Sequence, residues 1–193
     1  MSTAPPLSPE IMVQDAGEPT PAKTTALLAG PGGLADMHRR PVRERTDLAR
    51  VLDSAALPDD PDAMDGNDDT ILTPHRGEFE RLFGAVSSNA IDGAVDAARR
   101  CGCIVVLKGP MTVIASPQDD PIINDRPNPA LATAGTGDVL AGIIAGLVAQ
   151  GMVPRLAAAA GVWLHLEAAD AVGPGLIASD LGRAVGSSLA AFR

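Results

Sequence analysis

A glycine-rich turn that opens directly into an apolar helix constrains the fold of this chain most. Residues 128–151 read NPALATAGTGDVLAGIIAGLVAQG, and the large apolar residues after Asp138 recur at positions i, i+1, i+4, i+5, i+8 and i+9. This spacing is typical of a helix and not of a strand. Asp138 therefore lies at the start of a helix. The opposite face carries only small residues such as Gly142 and Gly146, so we expect both sides of this helix, and the helix start itself, to be buried.

Two interpretations of Asp138 follow from this position. An aspartate in front of a helix is most often an N-cap, because its carboxylate accepts hydrogen bonds from first-turn amides and complements the helix dipole. The preceding Ala-Thr-Ala-Gly-Thr-Gly favours a second interpretation, since the backbone N–H groups of such a loop can converge on one anion beside a potential base. The residues of this segment alone leave both open.

The length and charge of the chain limit the classes of protein it can belong to. With 193 residues, 46% of them hydrophobic and 20% charged, it is long enough for one globular domain. Its 15 basic and 24 acidic residues give a net charge of -9, which argues against a nucleic-acid partner. No leader pattern is visible at the N-terminus, and residues 139–150 are too short and glycine-interrupted to cross a bilayer. We expect a cytoplasmic protein with a small-molecule substrate and no membrane partner, and a homo-oligomer is left open.

The regular part of the chain begins near residue 26. The first 22 residues are rich in proline and almost without apolar periodicity, so we expect a disordered tail over 1–25 and one domain over 26–193. Periodicity then predicts a strand end at TILTP, helices over 77–83 and about 88–100, a strand at CIVVLKG with MTVIAS as its hairpin partner, the Asp138 helix, and helices over 154–172 and about 177–191. This order is typical of an α/β fold, with a mainly parallel sheet flanked by helices.

Two polar residues follow predicted strands. His75 comes after TILTP and Lys108 after the apolar run IVVL, which places both at the carboxyl edge of the predicted sheet, where open α/β folds bind ligands. A histidine before a helix is about as often a cap or a surface residue, and a lysine at a strand end is usually just solvated. The positions alone therefore leave a binding role and a structural role open.

Four segments together resemble one known family. LTPHRGEFERLFG, VVLKGPMTVIASP, NPALATAGTGDVLAGIIAGLVAQG and GLIASDL are similar, in order and spacing, to the ADP- or ATP-dependent (S)-NAD(P)H-hydrate dehydratases of the ribokinase-like superfamily. The resemblance covers about residues 70–185. Gly-Thr-Gly-Asp alone would fit many ribokinase-like kinases, whereas its combination with Thr-Pro-His-x-Gly-Glu and Val-Leu-Lys-Gly points to the dehydratases.

The resemblance implies a nicotinamide nucleotide repair enzyme, a lyase acting on the hydrate of NADH or NADPH. The hydrate hydroxyl would be phosphorylated by ADP or ATP, with Mg2+ expected beside the nucleotide, and phosphate would then leave to restore the double bond. Asp138 matches the catalytic carboxylate of the family and would act as general base on the hydroxyl.

The same resemblance implies further site residues. The hydrated substrate would contact His75 and Gly32 together with Asp138. The adenine nucleotide would be bound by the turn after the Lys108 strand and by the glycine-rich loop, which contribute Lys108, Gly109, Pro110, Met111, Thr112, Ala134, Gly135, Thr136 and Gly137. No dedicated set of metal ligands is visible.

The match weakens toward the N-terminus. Arg76 stands where the family usually has a second proline, and the turn LLAGPGGLAD has Gly33 and Leu34 in swapped order. Ala55 in RVLDSAAL replaces a residue that is usually acidic. The elements that such domains carry ahead of this turn have no counterpart in the proline-rich tail, so the resemblance implies a ribokinase-like domain that is truncated at its N-terminal part.

Two alternatives to an active dehydratase stay open. The first is another ribokinase-like enzyme, a small-molecule kinase, which would share Gly-Thr-Gly-Asp but would not require Thr-Pro-His-x-Gly-Glu. The second is a degenerate nucleotide-binding fragment without turnover.

Overall fold

The computed structural model covers most of the predicted domain. It describes residues 21–190, apart from positions 36, 37, 39, 40, 43, 65, 87 and 88. Most of the predicted tail lies outside the described residues, so the division into tail and domain stays a prediction. Within the described residues, no helix combines the length and the apolar character needed to cross a membrane.

In the described part of the chain, six strands form one sheet whose spatial order is the order of the sequence. The first four strands run parallel, the fifth pairs antiparallel with the fourth, and the sixth pairs antiparallel with the fifth. The antiparallel pairing of the fourth and fifth strands confirms the predicted hairpin. The strands are β1 (Ala26–Ala29), β2 (Ala49–Leu52), β3 (Thr70–Leu72), β4 (Ile104–Leu107), β5 (Thr112–Ala115) and β6 (Ile122–Asn124).

The main helices lie close to their predicted positions. They are α1 (Arg76–Phe83), α2 (Ala90–Cys101), α3 (Thr136–Ala149), α4 (Pro154–Val172) and α5 (Ala178–Ala190). Local signals explain their ends. The Asn89 side chain accepts a hydrogen bond from Ile91 N at the start of α2, and Gly102 ends this helix in the left-handed conformation. Pro154 occupies the first turn of α4, where its missing N–H costs nothing.

The sheet is covered on both faces, as a mainly parallel sheet requires. Alternating strand residues such as Leu52 and Leu72 pack on one face with Phe79 of α1 and the alanines of α2. Their neighbours Val51 and Ile71 pack on the other face with α3 and α4. The fold is therefore a three-layer α/β arrangement, which confirms the predicted fold class.

The expectation that both sides of α3 are buried is wrong. Leu140 and Ile144 pack in the core, but Gly142 and Gly146 are exposed. The close contact between α3 and α4 is made by a different glycine. A Cβ added to Gly161 of α4 would lie 2.6 Å from Ile144 Cγ1, so a small residue is needed on α4 and not on the outer face of α3.

Candidate active site

Each of three neighbouring strands is followed by a polar residue at the carboxyl edge of the sheet. Asp53 follows β2, His75 lies just beyond β3 and Lys108 follows β4. Backbone pairing continues past the strand ends, since Lys108 N donates to Pro74 O at 2.9 Å and His75 is bridged to Lys108. The structure thus places His75 and Lys108 side by side at the edge where the sequence predicts them, and it adds Asp53.

Asp53 and Lys108 form an ion pair in which the carboxylate is buried and the lysine side chain is 18% exposed. Lys108 Nζ lies 2.8 Å from Asp53 Oδ1, and the Thr73 hydroxyl donates to the same oxygen at 2.7 Å. Asp53 is 2% exposed. A carboxylate buried to this degree requires a charged partner and hydrogen bonds, so Asp53 and Thr73 together fix the direction of the lysine side chain.

The turn after β1 makes room for Asp53. Gly30 has a φ of +108°, and a Cβ at this position would lie 1.6 Å from the backbone oxygen of Asp53. Only glycine fits here, for both conformational and steric reasons. Gly32, which the family resemblance implies as a substrate contact, also has a positive φ, of +71°, but open space surrounds it.

The Lys108 ammonium reaches the first turn of α3. A Cβ added to Gly137 would lie 3.1 Å from Lys108 Nζ. The start of a helix carries a partial positive charge and N–H groups without intrahelical acceptors. A cationic side chain and a helix N-terminus at the same point attract an anion such as phosphate.

Asp138 is not the N-cap of α3. That position is held by Gly135, in the left-handed conformation at φ +85° and without a side-chain cap, and the helix begins at Thr136. Asp138 lies in the first turn and is exposed, so the expectation of a buried charge at the helix start is wrong. Its carboxylate is therefore accessible from solvent.

The imidazole of His75 caps α1. His75 Nδ1 accepts from Gly77 N at 3.0 Å and from Glu78 N at 3.2 Å, while the Glu78 carboxylate accepts from His75 N at 2.9 Å. This reciprocal capping box confirms the capping interpretation of His75. Because Nδ1 acts as acceptor, a neutral ring carries its proton on Nε2. His75 Nε2 lies 3.6 Å from Glu78 Oε2, beyond hydrogen-bond distance, and the side chain is 61% exposed, so this second nitrogen can still donate to a ligand.

His165 of α4 is a buried imidazole beside the same helix start. It is 6% exposed, and among the described residues its Nε2 has no hydrogen-bond partner. Burial lowers the pKa of His165 to about 4; the charge of Lys108 acts in the same direction and the Thr136 backbone in the opposite one. The ring is therefore neutral near pH 7.

His75, Lys108, Gly137 and His165 line one cleft of about 580 Å³. Polar groups on its walls include the His75 and Lys108 side chains and the backbone of Gly137, and apolar side chains include Leu140 and Val162. Further lining residues come from the end of β6 and the segment that follows it, within residues 124–132. A mostly apolar cleft with a few convergent polar groups is typical of a small-molecule site.

Seven of the twelve residues implied by the family resemblance line this cleft: His75, Lys108, Gly109, Pro110, Thr112, Thr136 and Gly137. Five do not: Gly32, Met111, Ala134, Gly135 and Asp138. Met111 instead packs against the core on the α2 face of the sheet. Asp138 and Gly135 adjoin lining residues in the chain, Ala134 lies two positions from the lining residue Ala132, and all three are exposed. Ligand contacts of all twelve stay predictions.

Sequence reasoning missed several residues of the site. Asp53 carries a signal that could have been read, since it follows an apolar strand as His75 and Lys108 do. His165 is a single polar residue within an alanine- and leucine-rich helix, a pattern that predicts nothing specific. Asn124, Arg126 and Asn128 belong to a proline-containing segment without periodicity, and only the fold brings them to the cleft.

Curated relatives match much of this chain. The ADP-dependent (S)-NAD(P)H-hydrate dehydratase of Neisseria meningitidis is 42% identical over 139 residues, which is 67% of this chain and 47% of the relative. The bifunctional NAD(P)H-hydrate repair enzyme of Coxiella burnetii is 35% identical over 184 residues, 89% of this chain and 38% of the relative. The chain therefore spans less than half the length of each of these relatives.

Solved structures match the fold. The ADP/ATP-dependent NAD(P)H-hydrate dehydratase of Bacillus subtilis, co-crystallised with ATP and Mg2+, is 30% identical with a TM-score of 0.75, over 87% of this chain and 65% of that one. The ribokinase of Thermotoga maritima is 16% identical with a TM-score of 0.51, over 84% and 57% of the two chains, and shares the fold alone. The fold is ribokinase-like. Since the sequence profile of the NAD(P)H-hydrate dehydratase family matches residues 9–180, the chain belongs to this family.

Proposed function

We propose that this chain converts (S)-NAD(P)H-hydrate to NAD(P)H in a dehydration driven by ADP or ATP. The name of the Neisseria meningitidis relative and the family membership support this activity. The observation that supports it most is the single cleft in which His75, Lys108 and the first turn of α3 meet. Phosphoryl transfer depends mainly on positioning and on fixed positive groups, and this cleft provides both.

The proposed reaction has two steps. The terminal phosphoryl group of ADP or ATP is transferred to the hydroxyl of the hydrate, and AMP or ADP is released. The C–O bond then breaks with its electron pair on the departing phosphate, while the neighbouring carbon loses a proton and the double bond forms. The nucleotide drives the dehydration because phosphate is a far better leaving group than hydroxide.

We assign the transferred phosphoryl group to the N-terminal turn of α3. The amides of residues 134–137 and the Lys108 ammonium would surround it. Gly137 is suited to this place, since a Cβ there would meet Lys108 Nζ at 3.1 Å and obstruct the approach of the lysine to the turn. The ion pair with Asp53 keeps Lys108 at this position before a ligand binds.

Asp138 is the proposed general base. It follows Gly137 in the chain and is exposed, so its carboxylate can accept the proton of a substrate hydroxyl placed beside the phosphoryl group. Proton removal makes the hydroxyl oxygen nucleophilic as its bond to phosphorus forms.

His75 is the proposed contact of the nicotinamide hydrate. With Nδ1 occupied by the α1 cap, its Nε2 proton can be donated to a polar group of the substrate. The adenine nucleotide would occupy the part of the cleft bounded by the turn of residues 108–112 and by apolar side chains such as Leu140, Val162 and Leu166. Met111, Ala134 and Gly135 complete the proposed nucleotide contacts.

Mg2+ would be bound chiefly through the nucleotide phosphates. Among the described residues, no group of three or more His, Cys, Asp and Glu side chains is arranged to hold a metal ion. Nucleotide-bound Mg2+ needs only one or two protein carboxylates, because phosphates and waters fill its other positions.

The test of this function is the recovery of NADH absorbance from hydrated NADH. Wild-type protein is expected to restore the absorbance when ADP or ATP is present and not when both are omitted. Failure to restore it with either nucleotide would contradict the proposal.

Asp138→Asn tests the proposed base. We expect turnover to fall by ~10²–10⁴, with nucleotide affinity and melting temperature retained, because Asp138 is exposed and is not the helix cap. Asp180→Asn is the matched control, since Asp180 lies in the first turn of α5 and accepts from Ile177 N at 3.1 Å. If Asp138→Asn unfolds, Asp138 acts structurally. If the control loses as much activity, the loss is not specific to Asp138, and the assignment of the base is contradicted.

A further inference from the structure

A network of charged and polar side chains ties the segment after β6 to α4. Arg126 Nη1 donates to Glu167 Oε1 at 2.7 Å, and its Nη2 donates to Asp170 Oδ2 at 2.7 Å. The other oxygen of Asp170 accepts from Asn128 Nδ2, also at 2.7 Å. Two side chains of residues 124–132 are thus bonded to two carboxylates one turn apart on α4. We call this network the α4 clamp.

The segment held by the α4 clamp is also braced internally. Asn124 Oδ1 accepts from Arg126 N at 3.1 Å, and Asn128 Oδ1 accepts from Ala130 N at 2.9 Å. At its far end, the Thr136 hydroxyl lies 2.7 Å from the Leu131 carbonyl oxygen, to which it can donate. The segment is therefore bonded to the start of α3 as well as to α4.

This segment forms one wall of the cleft. Its lining residues face side chains of α3 and α4, including Leu140, Val162 and His165. Arg126 is itself a lining residue, but its guanidinium is bonded to Glu167 and Asp170. A guanidinium neutralised by two carboxylates is a poor phosphate ligand, so a role in shaping the wall fits Arg126 better than direct anion binding.

We propose that Arg126 is a positioning residue for the adenine nucleotide: through the α4 clamp it fixes residues 124–132 as the cleft wall against which the nucleotide packs. This inference rests on the proposed function of the cleft. The side chains of Arg126, Glu167 and Asp170 are 54%, 33% and 43% exposed. Ion pairs this exposed contribute little to global stability, so the effect of the clamp is local to the wall.

Arg126→Ala is the primary test, with binding of ADP and ATP measured by calorimetry. The affinity is expected to fall roughly three- to tenfold, the scale of a small network of exposed ion pairs, while the melting temperature stays unchanged. Hydrogen exchange of the amides of residues 124–132 is expected to accelerate. In turnover, the KM for nucleotide rises and kcat changes less, since the wall lies outside the reacting groups.

Arg100→Ala is the matched control. Arg100 is 44% exposed and makes two hydrogen bonds to the Asp62 carboxylate, at 3.1 and 2.8 Å, but it does not line the cleft. We expect this variant to leave nucleotide affinity and the exchange of residues 124–132 unchanged. An equal loss of affinity in both variants would overturn the proposal, because any exposed arginine would then have the same effect.

The double variant Glu167→Gln, Asp170→Asn separates positioning from direct contact. If Arg126 acts through the clamp, this variant weakens nucleotide binding and accelerates exchange as Arg126→Ala does. If Arg126 binds the nucleotide directly, release of its guanidinium from the two carboxylates leaves the affinity unchanged or raises it, and the proposal is overturned.

Failure of this proposal can be told from failure of the proposed function. A wild-type protein that binds neither ADP nor ATP overturns both. Normal binding by the wild type, with unchanged affinity and unchanged exchange in Arg126→Ala, overturns the clamp alone.

Discussion

At the scale of single residues, the two nitrogens of His75 have different tasks. Nδ1 caps α1, and Nε2 is left for the proposed substrate contact. A substitution that removes both tasks cannot distinguish them. Substitution by asparagine can distinguish the two tasks, because asparagine is among the best N-cap residues but does not place a donor where Nε2 of the histidine lies.

We therefore expect His75→Asn to keep the melting temperature and to raise the KM for the hydrate. His75→Ala is expected to raise KM similarly and also to lose about 1 kcal/mol of stability, the usual contribution of an N-cap. Adenine-nucleotide affinity, measured by calorimetry, is expected to be retained in both variants. Equal loss of both ligands would show that His75 acts on the whole cleft, which its position next to Lys108 makes a real alternative.

His165 makes the stability of the fold depend on pH. Burial and the charge of Lys108 lower its folded pKa to about 4, from 6.5 in the unfolded chain. Between pH 4 and pH 6.5 the unfolded chain binds a proton at this residue and the folded chain does not. The free energy of unfolding therefore has its full value above pH 6.5 and decreases as the pH falls toward 4. From pH 7 to pH 5, His165 is expected to remove about 2 kcal/mol.

His165→Gln tests this pH dependence by denaturant unfolding at several pH values. The difference in stability between wild type and variant is expected to change by about 2 kcal/mol between pH 7 and pH 5, in the direction that favours the variant at low pH. Parallel pH profiles for wild type and His165→Gln would mean that His165 is not held neutral by its surroundings.

At the scale of elements, the glycines of α3 and α4 have opposite surroundings. A Cβ on Gly142 or Gly146 of α3 would meet nothing within 4 Å, whereas one on Gly161 of α4 would lie 2.6 Å from Ile144. Each Gly→Ala change on α3 is therefore expected to stabilise the protein by roughly 0.5–1 kcal/mol through helix propensity. Gly161→Ala is expected to destabilise it by about 1–3 kcal/mol through overpacking.

Thermal or denaturant unfolding of the three variants measures these differences. Destabilisation by alanine at Gly142 or Gly146 would contradict an exposed face. If stability instead depends on protein concentration in those variants, the α3 face is covered by a second copy of the chain in solution.

At the scale of the whole molecule, the sheet depends on its first two strands. Val51 and Leu52 of β2 are fully buried, one on each face, and Asp53 is the partner of Lys108. Deletion through residue 57 is expected to expose apolar surface and an unpaired edge of β3, and so to cause aggregation. Light scattering and binding of a hydrophobic dye measure this outcome.

Deletion of the first 22 residues is the matched control for this truncation. These residues lack the apolar periodicity needed to offset the entropy of ordering, so the melting behaviour is expected to stay unchanged. If the chain cut at residue 57 stays monomeric and melts at the wild-type temperature, β1 and β2 are dispensable for the fold.

The sequence by itself determined the features that depend on neighbours in the chain. The spacing of apolar residues predicted α3 and the hairpin of β4 and β5, because helix and strand periodicities are local properties. The sequence also predicted that His75 and Lys108 lie at one edge of the sheet, because parallel strands end on the same side. The family motifs added the identity of the fold to this local information.

Only the tertiary structure decided the contacts between distant residues. Lys108 pairs with Asp53, 55 positions earlier in the chain, and Arg126 pairs with carboxylates 41 and 44 positions later. The tertiary structure also decided that only one face of α3 is buried. The small residue needed for close packing, Gly161, lies on α4 and not on the glycine-containing face of α3. Such contacts depend on how whole elements pack against one another, and no periodicity within a single segment records which partner will cover it.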